Sequence, residues 1–205
     1  MKVLAIGAHY DDVELGCGGT LLRHRDCKDE ISIFVITKSD YVSLGHVRTA
    51  EVAREEGKKT ANILTANLYE GNFETLTLIA TKELVNTIIE VVTKVNPDIV
   101  YTHFVGDQHT DHQAVAKATL IATKRVKKVC AYISNVHDTF PKFAHNYCVD
   151  ISGVFKKKLE LLNCFESEKE THLTWEKQLH YLNGLFGLKN NVEFAEPFEI
   201  IRLFE

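Results

Sequence analysis

The chain has 205 residues, 45% hydrophobic and 25% charged, which fits one compact domain and excludes intrinsic disorder, collagen-like repeats and long coiled coils. Its 24 basic and 28 acidic residues give a formal charge of −4, so no surface built to neutralise many phosphates is expected and nucleic acid is excluded as a main partner. No stretch approaches the roughly 20 uninterrupted apolar residues that span a bilayer, and the run Val3 to Ala8 is too short for a signal-peptide core, so a cytoplasmic protein without a membrane partner is expected.

Val3 to Gly7 is a short apolar run ending in glycine, and Gly16-Cys17-Gly18-Gly19 leads into the patterned stretch Thr20 to Arg25. This predicts strand, loop and helix. Ile31 to Thr37 is a β-branched strand, Val47 to Leu64 a long helix, Ala66 to Tyr69 a short strand, and Ile79 to Val95 a helix that Asn96-Pro97-Asp98 stops. Ile99 to Thr102 reads as strand, His109 to Lys124 as helix and Val129 to Ser134 as strand. Ser134 to Asn146 is loop-like, Tyr147 to Ile151 a short run, and Phe155 to Phe165 and Leu173 to Leu188 are helical. Phe194 to Phe204 is a late strand expected at a sheet edge.

Such alternation predicts an α/β fold with a mostly parallel sheet, because parallel strands need helical crossovers. With no repeat and no Ser/Gly-rich linker, residues 1–205 are expected to form a single domain. Cys17, Cys27, Cys130, Cys148 and Cys164 are scattered and form no C-x-x-C pair, so neither disulfides nor a thiolate zinc cluster is expected. Most of them should be buried small hydrophobes.

In open α/β sheets ligands bind beyond the carboxyl ends of strands, so the chemistry should lie just after strand-like runs. Ala8-His9-Tyr10-Asp11-Asp12 follows the first strand, and Asp107-Gln108-His109-Thr110-Asp111-His112 follows the strand at Ile99. Catalytic zinc characteristically takes three protein ligands and leaves a place for water. His9, Asp12 and His112 would supply them. Neighbouring side chains of an extended loop point to opposite sides, so Asp12 would bind metal while Asp11 faces the water. Zinc lowers the pKa of its water towards about 7, and Asp11 would take the proton as a carbonyl is attacked.

Thr110-Asp111-His112-Gln113 fits a capping box, which puts His112 in a first helical turn where protonation is disfavoured. His109 would stabilise an oxyanion or protonate a leaving amine, and Asp111 would orient a histidine. His24, His46, His103, His137, His145, His172 and His180 have no comparable context and read as surface or satisfied histidines. The lysine runs at 124–128 and 156–158 read as solvated helix faces.

At these residues the chain resembles the PIG-L / LmbE-like family of zinc-dependent N-acetylglucosaminyl deacetylases. Ala5 to Leu21 is similar to the family's A-H-P-D-D-x-x-L-x-x-G-G-T signature, and Asp107 to His112 to its D-x-H-x-D-H. Arg48-Thr49-Ala50-Glu51 looks like its R-x-x-E segment. Val149-Asp150-Ile151-Ser152 followed by Lys158, and Ala195-Glu196-Pro197-Phe198, look like its later landmarks.

The resemblance implies a Rossmann-like three-layer fold and zinc on His9, Asp12 and His112, with Fe2+, Co2+ or Mn2+ as other occupants. It further implies Asp11 as general base, His109 as oxyanion stabiliser or acid, and a small N-acetylated sugar or glycoconjugate as substrate. Arg48 is then either a substrate contact or a helix-start arginine paired with Glu51 or Glu55. Tyr10 stands where the family usually has proline, which predicts looser backbone there or a tyrosine brought to the rim. A deformylase or amidase acting on a nucleotide-linked sugar or another small amide is the alternative. The sequence leaves a homo-oligomer open.

Overall fold

The structure, a computed structural model, describes residues 1–43, 46–135, 139 and 142–204. Its elements run β1 (Lys2–Gly7), α1 (Asp12–Asp26), β2 (Glu30–Thr37), β3 (Tyr41–Ser43), β4 (His46–Arg48), α2 (Ala50–Leu64), β5 (Asn67–Phe73) and α3 (Lys82–Val95). There follow β6 (Ile99–His103), α4 (Thr110–Ala122), β7 (Lys128–Tyr132), β8 (Tyr147–Asp150), α5 (Phe155–Leu162), α6 (Lys169–Lys189) and β9 (Ala195–Leu203). Single 3-10 turns at Ser152–Val154 and Glu166–Glu168 lead into α5 and α6.

Seven strands form the central sheet in the order β5-β2-β1-β6-β7-β9-β8, and β3 and β4 make a separate hairpin. The five strands from β5 to β7 are parallel, whereas β9 pairs antiparallel with both β7 and β8. The strand order reverses between β1 and β6, which is where this architecture leaves a crevice.

Strands buried on both faces read as unbroken apolar runs, and β1 and β2 show why. Val3, Ala5, Ile31, Ile33 and Val35 pack in one core cluster with residues of α1, α2 and α5. Leu4, Ile6, Phe34 and Ile36 pack in another with α3 and α4. The three-layer α/β expectation is met.

Several details differ from the sequence reading. The glycine segment lies inside α1, not before it: Gly16 lets the helix rest on the Tyr132 ring, which a Cβ would meet at 2.1 Å, and the helix kinks at Cys17. Val47 and Arg48 belong to the hairpin, and α2 starts after Thr49, whose side chain accepts from the Val52 N–H. β9 lies inside the sheet, because β8 covers its outer side and takes the edge. All five cysteines are free thiols; Cys17 and Cys130 are buried, but Cys27 is exposed and Cys148 and Cys164 are half-buried.

Lys158 is fully buried, not solvated. Its Nζ donates to Glu196 Oε1 at 2.6 Å, the Leu15 carbonyl at 2.8 Å and Asn183 Oδ1 at 3.4 Å. Glu196 also accepts from the Gly19 and Thr20 N–H groups and the Thr20 hydroxyl. The two late landmarks therefore meet in one satisfied polar network that ties α5 and β9 to α1. Among the described residues no helix is long and apolar enough to cross a membrane.

Candidate active site

The loop after β1 and the loop after β6 meet at the point of strand reversal. Asp12 is the hub. Its Oδ2 lies 3.3 Å from His9 Nδ1 and 3.2 Å from His103 Nε2, and its Oδ1 lies 3.1 Å from His112 Nε2. Two groups place one ligand atom per residue all within 4.8 Å of one another: His9 with His109 and His112, and Asp12 with His103 and His112. The set proposed from sequence thus spans both groups, with Asp12 joining His9 to His112.

His9 and His112 each have a carboxylate at the nitrogen facing away from Asp12. His9 Nε2 lies 3.0 Å from Asp111 Oδ2, and His112 Nδ1 lies 3.1 Å from Asp107 Oδ2. Asp111 in turn accepts from the Leu76 and Leu78 N–H groups, so it fixes both the imidazole and the loop beside it. Such imidazole–carboxylate pairs orient metal ligands and raise their basicity.

The electrostatics follow from this crowding. Burial opposes charge on His9, but its hydrogen bonds to the Asp111 and Asp12 carboxylates outweigh it and raise its pKa to about 9. Burial likewise opposes charge on His112, while Asp12 and Asp107 raise it to about 10, against the helix-start expectation. Burial and His112 lower His103 to about 4. Asp12 is held well below the usual carboxylate range: burial would raise it, but His112 and His103 prevail. Burial pushes Asp11 up to about 7, with Arg48 pulling the other way.

Asp11 and Asp12 diverge for a different reason than an extended loop. Asp12 is the first residue of α1, and Asp11 before it has φ 113°, a region side-chain-bearing residues rarely adopt. This kink sends Asp12 inward while Asp11 borders a cavity of about 450 Å³. His109 borders the same cavity, with exposed Val42 and Leu76 at the mouth.

His109, not Thr110, caps α4. Its Nδ1 accepts from the Asp111 N–H at 3.2 Å, while the Gln113 side chain donates to the Asp107 carbonyl. Arg48 is buried and pairs with Asp11, Glu56 and Glu168; neither Glu51 nor Glu55 is its partner.

Tyr10 neither loosens the loop nor reaches the rim. Its N–H donates to Ser39 Oγ at 2.9 Å, a bond proline cannot make, its hydroxyl donates to Glu70 at 2.6 Å, and its ring fills the space that a Cβ on Gly57 would need.

His103 was left aside by sequence reasoning. It is fully buried, stacked on His112 at 3.9 Å, with Nε2 3.0 Å from the Ala8 amide. Its place directly after Ile99 to Thr102, at a strand end beside the reversal, was the available signal. Asp107, read only as part of the motif, brings its Oδ2 to 3.1 Å from His112 Nδ1. His137 and much of the 134–146 loop lie outside the described residues.

Diacetylchitobiose deacetylase from Thermococcus kodakarensis is 27% identical over 223 residues, covering 98% of this chain and 83% of that protein. The N,N'-diacetylchitobiose deacetylase structure from Pyrococcus horikoshii superposes with a TM-score of 0.82 at 21% identity, covering 97% of this chain and 83% of that one. The structure of a 4-carboxy-2-hydroxymuconate hydratase from Pseudomonas putida KT2440 gives 0.80 at 17% identity, covering 100% and 99%. The two structural likenesses establish the fold, which serves more than one reaction. The family model for GlcNAc-PI de-N-acetylase, PIG-L, matches residues 4–123, more than half of the chain and the part that carries both motifs, and the chain belongs to that family.

Proposed function

We propose that this protein is a metal-dependent N-deacetylase that hydrolyses the acetamide of a small amino sugar or glycoconjugate to free amine and acetate. The observation that carries this reading is the convergence of His9, Asp12 and His112, with Asp11 beside them at the cavity, in a member of a de-N-acetylase family.

The donor set suits a divalent cation. Two imidazoles and one carboxylate converge there, with Asp111 and Asp107 beside the imidazoles, which is the nitrogen and oxygen donor set a divalent ion takes. His103 Nε2 sits against the Ala8 N–H, which engages that nitrogen and favours His9, Asp12 and His112 as the ligands. When bound, zinc would polarise the acetamide carbonyl and acidify water.

The remaining work falls to the chain's own side chains. Asp11 takes a proton from the attacking water. His109 accepts the Asp111 N–H at Nδ1, so in its neutral form the proton is on Nε2, available to the developing oxyanion or the leaving amine. Among the described residues lining the cavity, Arg48 is the sole lysine or arginine, and its guanidinium is already paired with carboxylates. This supports a neutral sugar over a nucleotide-linked one.

The test is product release from N-acetylglucosamine, N,N'-diacetylchitobiose and their N-formyl counterparts, using protein stripped by a chelator and reloaded with Zn2+, Fe2+, Co2+ or Mn2+. Acetate release that requires metal is expected. Release of formate alone would move the assignment to a deformylase, and no release with any metal would overturn it.

A further inference from the structure

We infer that Leu76 and Val42 form an apolar lip that selects amino sugars carrying an apolar group on the anomeric oxygen. The inference rests on the reading of the cavity as a deacetylase site and names the class of conjugate it takes. The cavity of about 450 Å³ is polar where His9, Asp11 and His109 border it. Val42 and Leu76 border it with aliphatic side chains that are 78% and 64% exposed. They come from separate segments, the β3–β4 hairpin and the loop after β5.

Leu76 is held in a conformation that leucine does not favour. It stands at φ 62°, in the left-handed region where a Cβ is costly and glycine or asparagine is preferred. The loop fixes it there: its N–H donates to Asp111 Oδ2 at 2.7 Å, the Leu78 N–H donates to Asp111 Oδ1 at 3.1 Å, and the Thr75 hydroxyl donates to Asp40 Oδ1 at 2.9 Å. Leu78 is buried in the core with Phe34 and Leu84, so packing accounts for it. Packing does not account for Leu76 or Val42, since among the described residues neither belongs to a core cluster. Val42 pairs across the hairpin with Val47, which is itself exposed. Two aliphatic side chains left in water at the mouth of a polar cavity, one of them against its backbone preference, are the mark of a ligand that covers them.

The chemistry of the substrate says which part of it does so. The acetamide to be cleaved sits on the ring carbon next to the anomeric one, and the anomeric oxygen is where an amino sugar carries its aglycone. The remaining ring positions bear hydroxyls, which suit the polar end of the cavity. One methylene in an apolar contact of this kind is worth about tenfold in kcat/KM.

The experiment compares the methyl and hexyl glycosides of N-acetylglucosamine, in both anomers, on zinc-loaded wild type, Leu76→Asn and Val42→Thr. Asparagine accepts the left-handed backbone and keeps the N–H that binds Asp111, and threonine keeps the β-branch of a strand residue, so both variants change polarity more than shape. In wild type, kcat/KM for one hexyl anomer should exceed that of its methyl counterpart by about tenfold or more, and this ratio should fall about tenfold in Leu76→Asn and severalfold in Val42→Thr. No hexyl preference in wild type, or the same preference in all three proteins, would overturn the inference. The Tm of Leu76→Asn should equal or exceed that of wild type, because the strain is relieved. A lowered Tm would show that the leucine serves the fold and would count against the lip.

If wild type releases acetate from neither glycoside nor from N-acetylglucosamine itself, the deacetylase reading falls and titration calorimetry with the same two glycosides decides the lip alone. Tighter binding of the hexyl compound, weakened in Leu76→Asn, would sustain it; equal or undetectable binding would overturn it. Sedimentation of wild type and Leu76→Asn tests the other occupant, a second copy of the chain. A dimer lost in the variant would assign the lip to a subunit contact and overturn its role in selecting substrate.

Discussion

Asp11→Asn is expected to lower kcat for acetamide hydrolysis by about 10²- to 10⁴-fold, the range for removing a positioned general base. The substitution is close to isosteric, and an asparagine carbonyl still accepts from Arg48 Nη1, the partner that lies 3.2 Å from Asp11 Oδ2. What it removes is a basic oxygen at the cavity. Metal binding should survive, because Asp11 belongs to neither cluster of ligand atoms. Steady-state kinetics with zinc content measured on the same samples check this. A kcat within threefold of wild type would show that another group takes the proton.

Lys158→Met is expected to cost about 3–5 kcal/mol of stability, since removing one partner of a buried ion pair leaves the other charge uncompensated. Glu196 would keep its Gly19 and Thr20 donors but lose the one cation it pairs with among the described residues, in a site where both side chains are fully buried. For a chain of 205 residues this corresponds to a Tm lowered by on the order of 10 °C. Urea unfolding monitored by circular dichroism measures it. The double variant Lys158→Met with Glu196→Leu should lose less than the single one, because an apolar pair can replace a buried ion pair at small cost. Equal stability of Lys158→Met and wild type would remove the network from the account of how α5 and β9 are fixed to α1.

The elements legible in the sequence are those whose signal is local. β1, β2, β6 and β7 carry continuous apolar runs because both of their faces are covered, and the stop after α3 is written in Asn96-Pro97-Asp98, where Asn96 takes the left-handed cap conformation. The residues expected at the site were legible for the same reason. His9, Asp11 and Asp12 share one loop and helix start, His109, Asp111 and His112 another, and the strand reversal brings the two together.

What the sequence did not disclose depends on contacts between distant segments. The charge pattern of Lys156-Lys157-Lys158 does not distinguish the lysine that meets Glu196, which the family resemblance alone marks, and nothing in Arg48 announces Glu56 and Glu168 as its partners. The hairpin before α2 was missed because three-residue strands are too short for a period-2 pattern to emerge. Thr49 before a helical run was the cue that would have ended the helix there. Tyr10 shows how a departure from a motif is absorbed: the proline's stiffness is replaced by a hydrogen bond to Ser39, another to Glu70, and a ring seated on Gly57.

The central claim is that His9, Asp12 and His112 hold one divalent ion. Zinc content by inductively coupled plasma mass spectrometry, on wild type and Asp12→Ala dialysed against equal free zinc, tests it most directly. The account predicts about one zinc per chain in wild type, as for a three-ligand catalytic site, and its loss in Asp12→Ala, whose missing carboxylate joins His9 to His112. Equal zinc in both proteins, or none in wild type, would contradict it.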